Sequence, residues 1–225
     1  MTINVVNKID NPVKVNTILI SVSDKSGLAQ FVPNLLAVNP KIKILSTGGT
    51  FNRIKAILGP KAETALTQVA DYTGQPETQG GLVKTLDFKI YLGLLTETYN
   101  EAHQSDLKRT DALPIDMVVV NLYPFQKTIS KEDVTPEQAR GNIDIGGPCM
   151  LRASAKNFIR VASVVDPGDY DLIIDELNTN QGCTSLKSRF KLACKAFEHT
   201  ALYDRTIYKY LADQNFEDIS KCYQV

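Results

Sequence analysis

The chain has 225 residues, 43% of them hydrophobic and 22% charged, with 25 basic and 25 acidic side chains. That length can bury a substantial core, and zero formal charge gives no general attraction to nucleic acid or to an anionic membrane surface. No apolar run approaches the roughly 20 residues that span a bilayer, and the polar N-terminus MTINVVNKIDNP is unlike a signal peptide, so a cytoplasmic protein is expected.

Residues 15–22, VNTILISV, form a β-branched apolar run of the kind found in buried parallel strands. SDKSG then supplies helix-start chemistry, and Leu28, Phe31 and Leu35 follow at helical spacing. KIKILS at 41–46 predicts a second strand, closed by TGGT and followed by a helix around 50–58. ALTQVA at 65–70 reads as a short strand, residues 71–81 as a turn-rich loop, and KIYLGLL at 89–95 as another strand. After a polar helix around 97–109 comes IDMVVVNLY at 115–123, the clearest core strand of the chain. DIGGP at 144–148 opens a helix, and RVASVVD at 160–166 is a further strand. Residues 167–211 read as mostly helical, with an apolar row of Phe190, Ala193, Phe197 and Ala201. Strands alternating with helices predict an α/β fold on a mainly parallel sheet. With no repeat and no linker-like stretch, a single domain over 1–225 is expected, its core at about 16–212 and a tail at 213–225.

Cys149, Cys183, Cys194 and Cys222 form no C-x-x-C pair and read as free thiols; the two histidines, His103 and His199, are far apart, so no zinc site is expected. His199 reads as a packed or hydrogen-bonded structural residue and His103 as a solvated one.

In open parallel sheets, ligands bind beyond the carboxyl ends of the strands. Ser21, Ser23 and Lys25 end the first strand; Ser46, Thr47, Gly48, Gly49 and Thr50 end the second; Asn121 and Tyr123 end the valine-rich one. STGGT between a strand and a helix suits a phosphate, because glycines bare their N–H groups and a helix N-terminus favours an anion. It reads equally as a capped turn, and neither the P-loop nor the dinucleotide fingerprint is present. Lys25 reads as a phosphate donor or as a solvated cation. Asp144 reads as a helix cap, and a straight helix carries Lys156, twelve residues on, well away from it along the axis.

Six segments, ISVSDKSGL, STGGT, VKTL, DMVVVNLYPF, NIDIGGPCMLRASAKN and KAFEHTALYD, occur in one order from about residue 16 to 212. In that order the chain resembles the inosine monophosphate (IMP) cyclohydrolase domain of the bifunctional purine-biosynthesis enzyme, without its formyltransferase half. The resemblance implies a three-layer, methylglyoxal-synthase-like α/β sandwich. It also implies an enzyme that closes the ring of 5-formamidoimidazole-4-carboxamide ribonucleotide to IMP, with no metal or organic cofactor. The expected catalytic set is Lys84, Tyr123, Asp144 and Lys156; which of these groups is the base stays open. Ser21, Ser23, Lys25, Ser46, Gly48, Gly49, Thr50 and Thr85 are expected around the phosphate and ribose, and Asn121, Ile145 and Gly146 at the base. A separate formyltransferase would supply the substrate, and a homodimer stays open. The stretch GLVKTLDFKIYLG departs from the family: Leu82 stands for an arginine, Asp87 and Phe88 for His-Pro, Tyr91 for a histidine and Leu92 for a glycine. Losing a phosphate-paired arginine removes a charge-assisted contact. The alternative is a non-catalytic or regulatory purine-nucleotide-binding protein with an altered phosphate site.

Overall fold

The computed structural model describes residues 5–75 and 84–224. The elements in chain order are β1 (Val13–Lys14), β2 (Thr17–Val22), α1 (Leu28–Val38), β3 (Lys43–Ser46), α2 (Gly48–Leu58), α3 (Ala62–Ala65), β4 (Leu66–Gln68) and α4 (Val69–Thr73). Then follow α5 (Phe88–Leu95), α6 (Glu101–Thr110), β5 (Met117–Asn121), α7 (Phe125–Ile129), α8 (Pro136–Gly141) and α9 (Gly146–Lys156). The chain continues with β6 (Ala162–Val164), α10 (Tyr170–Thr179), β7 (Cys183–Thr184), α11 (Leu186–Ala212) and α12 (Phe216–Ser220).

Five strands pair in the order β4-β3-β2-β5-β6, every pairing parallel. β1 and β7 form a separate antiparallel ribbon. A parallel sheet needs crossovers that cover both faces, so its central strands are apolar on both sides. β2 shows this directly. Ile18 and Ile20 point into one core with Phe31, Ile54 and Leu177, while Leu19 between them points into the other with Ile90, Val118 and Leu151. The first core lies under α1, α2 and α10, the second under α5, α9 and α11. The result is the expected three-layer α/β sandwich. Each predicted strand is found, trimmed at its ends, except one.

The exception is KIYLGLL, which is helix α5 and not a strand. Asp87 caps it, its Oδ1 accepting the Lys89 N–H at 2.8 Å. Ile90 and Leu94, one turn apart, are buried. Gly93 lies so close to the neighbouring segment that a Cβ there would fall 2.4 Å from the Leu113 carbonyl oxygen. A short, wholly apolar run has no readable period, and here the cap decides it.

The apolar row predicted on α11 is also displaced. The buried face carries Arg189, Leu192, Ala193, Ala196 and Thr200, whereas Phe190, Phe197 and Ala201 are exposed. The small Ala193 and Ala196 let α11 approach the sheet side. The larger rings lie on the flank, Phe190 edge-on to Phe158 and Phe197 under the Arg152 guanidinium. His103 is half-buried and not simply solvated: its Nδ1 accepts the Glu97 N–H at 3.2 Å in front of α6. Among the described residues no helix is long and apolar enough to cross a membrane.

Candidate functional site

The carboxyl ends of β2, β3 and β5 and the N-termini of α2 and α9 open onto one cavity of about 460 Å³. Thirteen of the fifteen residues expected from sequence and resemblance line it; Ser46 and Lys156 do not.

The β3–α2 turn forms one wall. Thr47 caps α2 in extended backbone geometry, and Gly48 takes a left-handed φ of 46°. The Thr50 hydroxyl accepts the Val22 N–H at 3.0 Å and donates to the Val22 carbonyl at 2.9 Å, which fastens the first turn of α2 to the end of β2. Ser21 Oγ and Thr47 Oγ1 lie 2.8 Å apart across the same junction. The first N–H groups of a helix have no partner within it and carry the positive end of its dipole. Lys25 arches over them: a Cβ on Gly49 would stand 3.7 Å from Lys25 Cε, and Lys25 Nζ donates to the Ser23 carbonyl at 3.3 Å. A cation, two hydroxyls and a helix N-terminus in one corner are chemically suited to an anion.

The opposite wall is the start of α9. Asp144 is half-buried, and its Oδ1 accepts the Gly147 N–H at 2.8 Å. Burial raises its pKa, opposed by hydrogen bonds from the Gly147 and Tyr123 N–H groups. Ile145 is exposed at the rim. Gly146 is packed so closely that a Cβ would meet Thr85 Oγ1 at 2.5 Å, so the Thr85 hydroxyl sits against bare backbone. Lys84 and Tyr123 complete the lining between the two walls, with Ser23 and Asn121 below.

Gly147 is held more tightly still. A Cβ there would fall 2.5 Å from Asp144 Oδ2 and 2.6 Å from Leu122 Cδ2. Gly147→Ala is expected to displace the Asp144 carboxylate and to cost about 1–3 kcal/mol by overpacking, read as a lowered urea midpoint with an unchanged m-value.

Two predicted residues stand outside the lining, and a third is partly engaged elsewhere. Ser46 is fully buried, donates to the Ile20 carbonyl at 2.7 Å and does not line the cavity. It ties β3 to β2 and leaves the anion corner to Thr47. Asn121 lines the cavity, but its amide is engaged at both ends by one residue: Oδ1 accepts the Asp24 N–H at 2.8 Å and Nδ2 donates to the Asp24 carbonyl at 2.9 Å. It closes the β2–α1 loop with one N–H and one acceptor position while its amide still lines the cavity. Lys156 is the exposed last residue of the eleven in α9. At 1.5 Å per residue it lies about 15 Å beyond Gly146, outside the cavity lining.

Of the departures, Leu82 lies outside the described residues. Asp87 is buried and points into structure, accepting from Lys89 N–H and, at 2.6 Å, from Gln75 Nε2. It does not line the cavity, so its charge is spent on capping α5. Phe88 is exposed, and the Tyr91 hydroxyl is buried beside Cys149. His199 is packed on α11 with a buried Nε2 that has no hydrogen-bond partner among the described residues, and burial pulls its pKa down. Sequence reasoning placed Thr47 at the ligand side of β3 but left it and Gly147 out of the binding set, and it missed Tyr203, whose hydroxyl receives the Asp144 N–H at 2.8 Å.

A parallel sheet with a pocket at its strand ends defines an α/β domain with a candidate ligand site there. The chain belongs to the MGS-like domain family, whose model matches residues 27–149; the AICARFT/IMPCHase bienzyme model matches residues 154–224. It is 50% identical over 197 residues to a bifunctional purine biosynthesis protein PurH of Thermoanaerobacter sp., covering 88% of this chain and 37% of that protein. The corresponding Lactiplantibacillus plantarum protein is 45% identical over 200 residues, covering 89% of this chain and 38% of its own length. The chain thus spans little more than a third of the curated relatives it matches. Among solved structures, ForH is similar, with a TM-score of 0.73 and 30% identity over 86% of this chain and 97% of ForH.

Proposed function

We propose that the chain is an IMP cyclohydrolase: it closes the ring of 5-formamidoimidazole-4-carboxamide ribonucleotide with loss of water. The observation that carries this reading is the facing of two helix N-termini across one cavity. The α2 end with Lys25 is suited to the 5′-phosphate, and the α9 end brings Asp144 opposite Lys84 and Tyr123. Similarity to the PurH proteins supports the same reading.

In the reaction the carboxamide nitrogen attacks the formyl carbon. A C–N bond forms, the carboxamide nitrogen gives up one of its two protons, the formamido nitrogen gives up the other proton as the ring C=N bond forms, and the formyl oxygen leaves with both as water. An amide nitrogen is a weak nucleophile, so holding it against the formyl group contributes much of the acceleration. Asp144 orients the carboxamide and takes its proton. Lys84 and Tyr123 hydrogen-bond to the formyl oxygen as charge develops there and supply the protons with which it departs. Ser21, Ser23, Gly48, Gly49, Thr50 and Thr85 surround the phosphate and ribose, largely through backbone groups at Gly48 and Gly49. Ile145 and Gly146 border the imidazole. Lys156 has no part in this reading because it stands at the far end of α9.

The working unit in this proposal is one domain, with its core over 16–212 and the segment after 212 as an appendage. It acts in the cytoplasm, downstream of a formyltransferase. The exposed apolar residues of α11, Phe190, Phe197, Tyr208 and Leu211, support self-association as a homodimer.

The phosphate assignment has a kinetic test. Lys25→Ala removes one charge-assisted contact, of a class worth ~1.5–3 kcal/mol. It is expected to raise the substrate KM about 10–100-fold and to leave kcat nearly unchanged, in steady-state assays of ring closure. An unchanged KM would remove the phosphate from the α2 corner.

A further inference from the structure

We propose that Tyr203, on α11 and outside the cavity, is the positioning residue that holds Asp144 in its working place. The Asp144 N–H donates to Tyr203 Oη at 2.8 Å across 59 positions of sequence. The Tyr203 ring is set edge-on to Phe125, with centroids 6.3 Å apart and planes at 70°, so the direction of the phenol is fixed by packing. Phe125 itself is buried at the start of α7, directly after the strand that delivers Tyr123 to the cavity. Tyr203 does not line the cavity.

Asp144 is therefore pinned at both ends. The N–H groups of Gly147 and Tyr123 hold its carboxylate, and Tyr203 holds its backbone from another layer of the fold. The first pin sets the side-chain rotamer. The second sets where the whole turn sits relative to the sheet. The segment leading to Asp144 needs such a tie, because Gly141, Asn142 and the following Ile145 are exposed. Without Tyr203 Oη, the turn swings outward and water reaches the carboxylate.

Burial is the main cause that raises the Asp144 pKa. The charged and titratable groups around it are Lys84 and Tyr123 across the cavity, and Tyr203 with its neighbour Asp204 on α11. None of these changes in Tyr203→Phe except the phenol itself. Hydration of the turn must therefore lower the Asp144 titration midpoint toward the ordinary carboxylate range.

The test compares the wild-type chain with Tyr203→Phe, which keeps the ring and its contact with Phe125. The Asp144 carboxyl carbon is titrated by ¹³C NMR, assigned by its loss in Asp144→Asn. Exchange of the Asp144 amide proton is measured alongside that of the β5 amides. The expected results are a downward shift of the Asp144 midpoint and amide exchange at Asp144 faster by about tenfold or more, with β5 protection retained. Kinetically, kcat falls about tenfold, its acid limb moves to lower pH, and KM stays within about twofold, because the phosphate is held on α2. A fluorinated tyrosine placed at 203, a weaker acceptor of the same shape, is expected to give smaller shifts in the same directions and keeps the test open if the Phe variant folds poorly. An Asp144 midpoint and amide exchange equal to wild type in a folded variant would overturn the proposal. The kinetic arm rests on the cyclohydrolase reading; the titration and exchange need no substrate. A chain without turnover would refute that reading and still leave the role of Tyr203 decided.

Discussion

Asp144→Ala is expected to lower kcat for ring closure about 10²–10⁴-fold, the range for loss of a positioned general base or acid, while the affinity for IMP changes little. In the proposed function the α2 corner holds phosphate and ribose, and the substitution does not touch it. At the α9 end, Asp144 is the carboxylate that lines the cavity, and burial holds its pKa above the ordinary carboxylate value. A base with a raised pKa takes a proton more readily, so the environment that disfavours the charge also favours the transfer. It follows that the acid limb of the wild-type rate profile lies above the ordinary carboxylate range and disappears in the variant. Steady-state kinetics across pH, with IMP affinity by calorimetry, check both parts. A loss confined to KM would mean that Asp144 only binds.

Arg189→Met is expected to destabilise the fold by about 3–5 kcal/mol, because several buried carbonyls lose their donor together. Arg189 is fully buried at the start of α11. It donates to the Thr184 carbonyl at 2.6 Å, Phe158 at 3.0 Å, Asp10 at 3.1 Å and Ile159 at 3.2 Å, and to Thr184 Oγ1 at 3.3 Å. Its fork thus ties the N-terminal segment, the end of α9, β7 and α11 into one knot. Methionine fills similar space and donates nothing, leaving several buried carbonyls unpaired at ~1–3 kcal/mol each before relaxation. At this chain length each kcal/mol moves Tm by roughly 2–4 °C. A fall of about 6–20 °C is expected by calorimetry, and a smaller fall for Arg189→Lys, which keeps charge but loses the planar fork. A Tm within about 2 °C of wild type for Arg189→Met would show that the knot carries little stability.

The central strands were legible because both of their faces are covered: β2 and β5 are apolar at every position that the cores require. The site was legible for the same topological reason, since short polar motifs fell at the strand ends. What could not be read was the use of each side chain. Ser46 and Thr47 are adjacent in STGGT, yet one is consumed by the Ile20 carbonyl and the other lines the cavity. Asn121 has a reader's amide, but the loop it closes comes back from 97 residues away. KIYLGLL looked like a strand because a short, mostly apolar run has no readable period, and the Asp87 cap marks the helix start. For Lys156 the two readings of the sequence disagreed: helical rise put it far from Asp144, the resemblance put both in one site. The single chain follows the helical rise. Tyr203 had no local signal, because its partner is 59 positions away.

The central claim is ring closure at the cavity between α2 and α9. Its direct measurement is to mix the purified chain with 5-formamidoimidazole-4-carboxamide ribonucleotide and follow the absorbance of the hypoxanthine ring. The account predicts IMP formed in proportion to enzyme concentration, abolished in Lys84→Ala and in Asp144→Ala. No enzyme-dependent product, from a chain that still binds IMP, would contradict it.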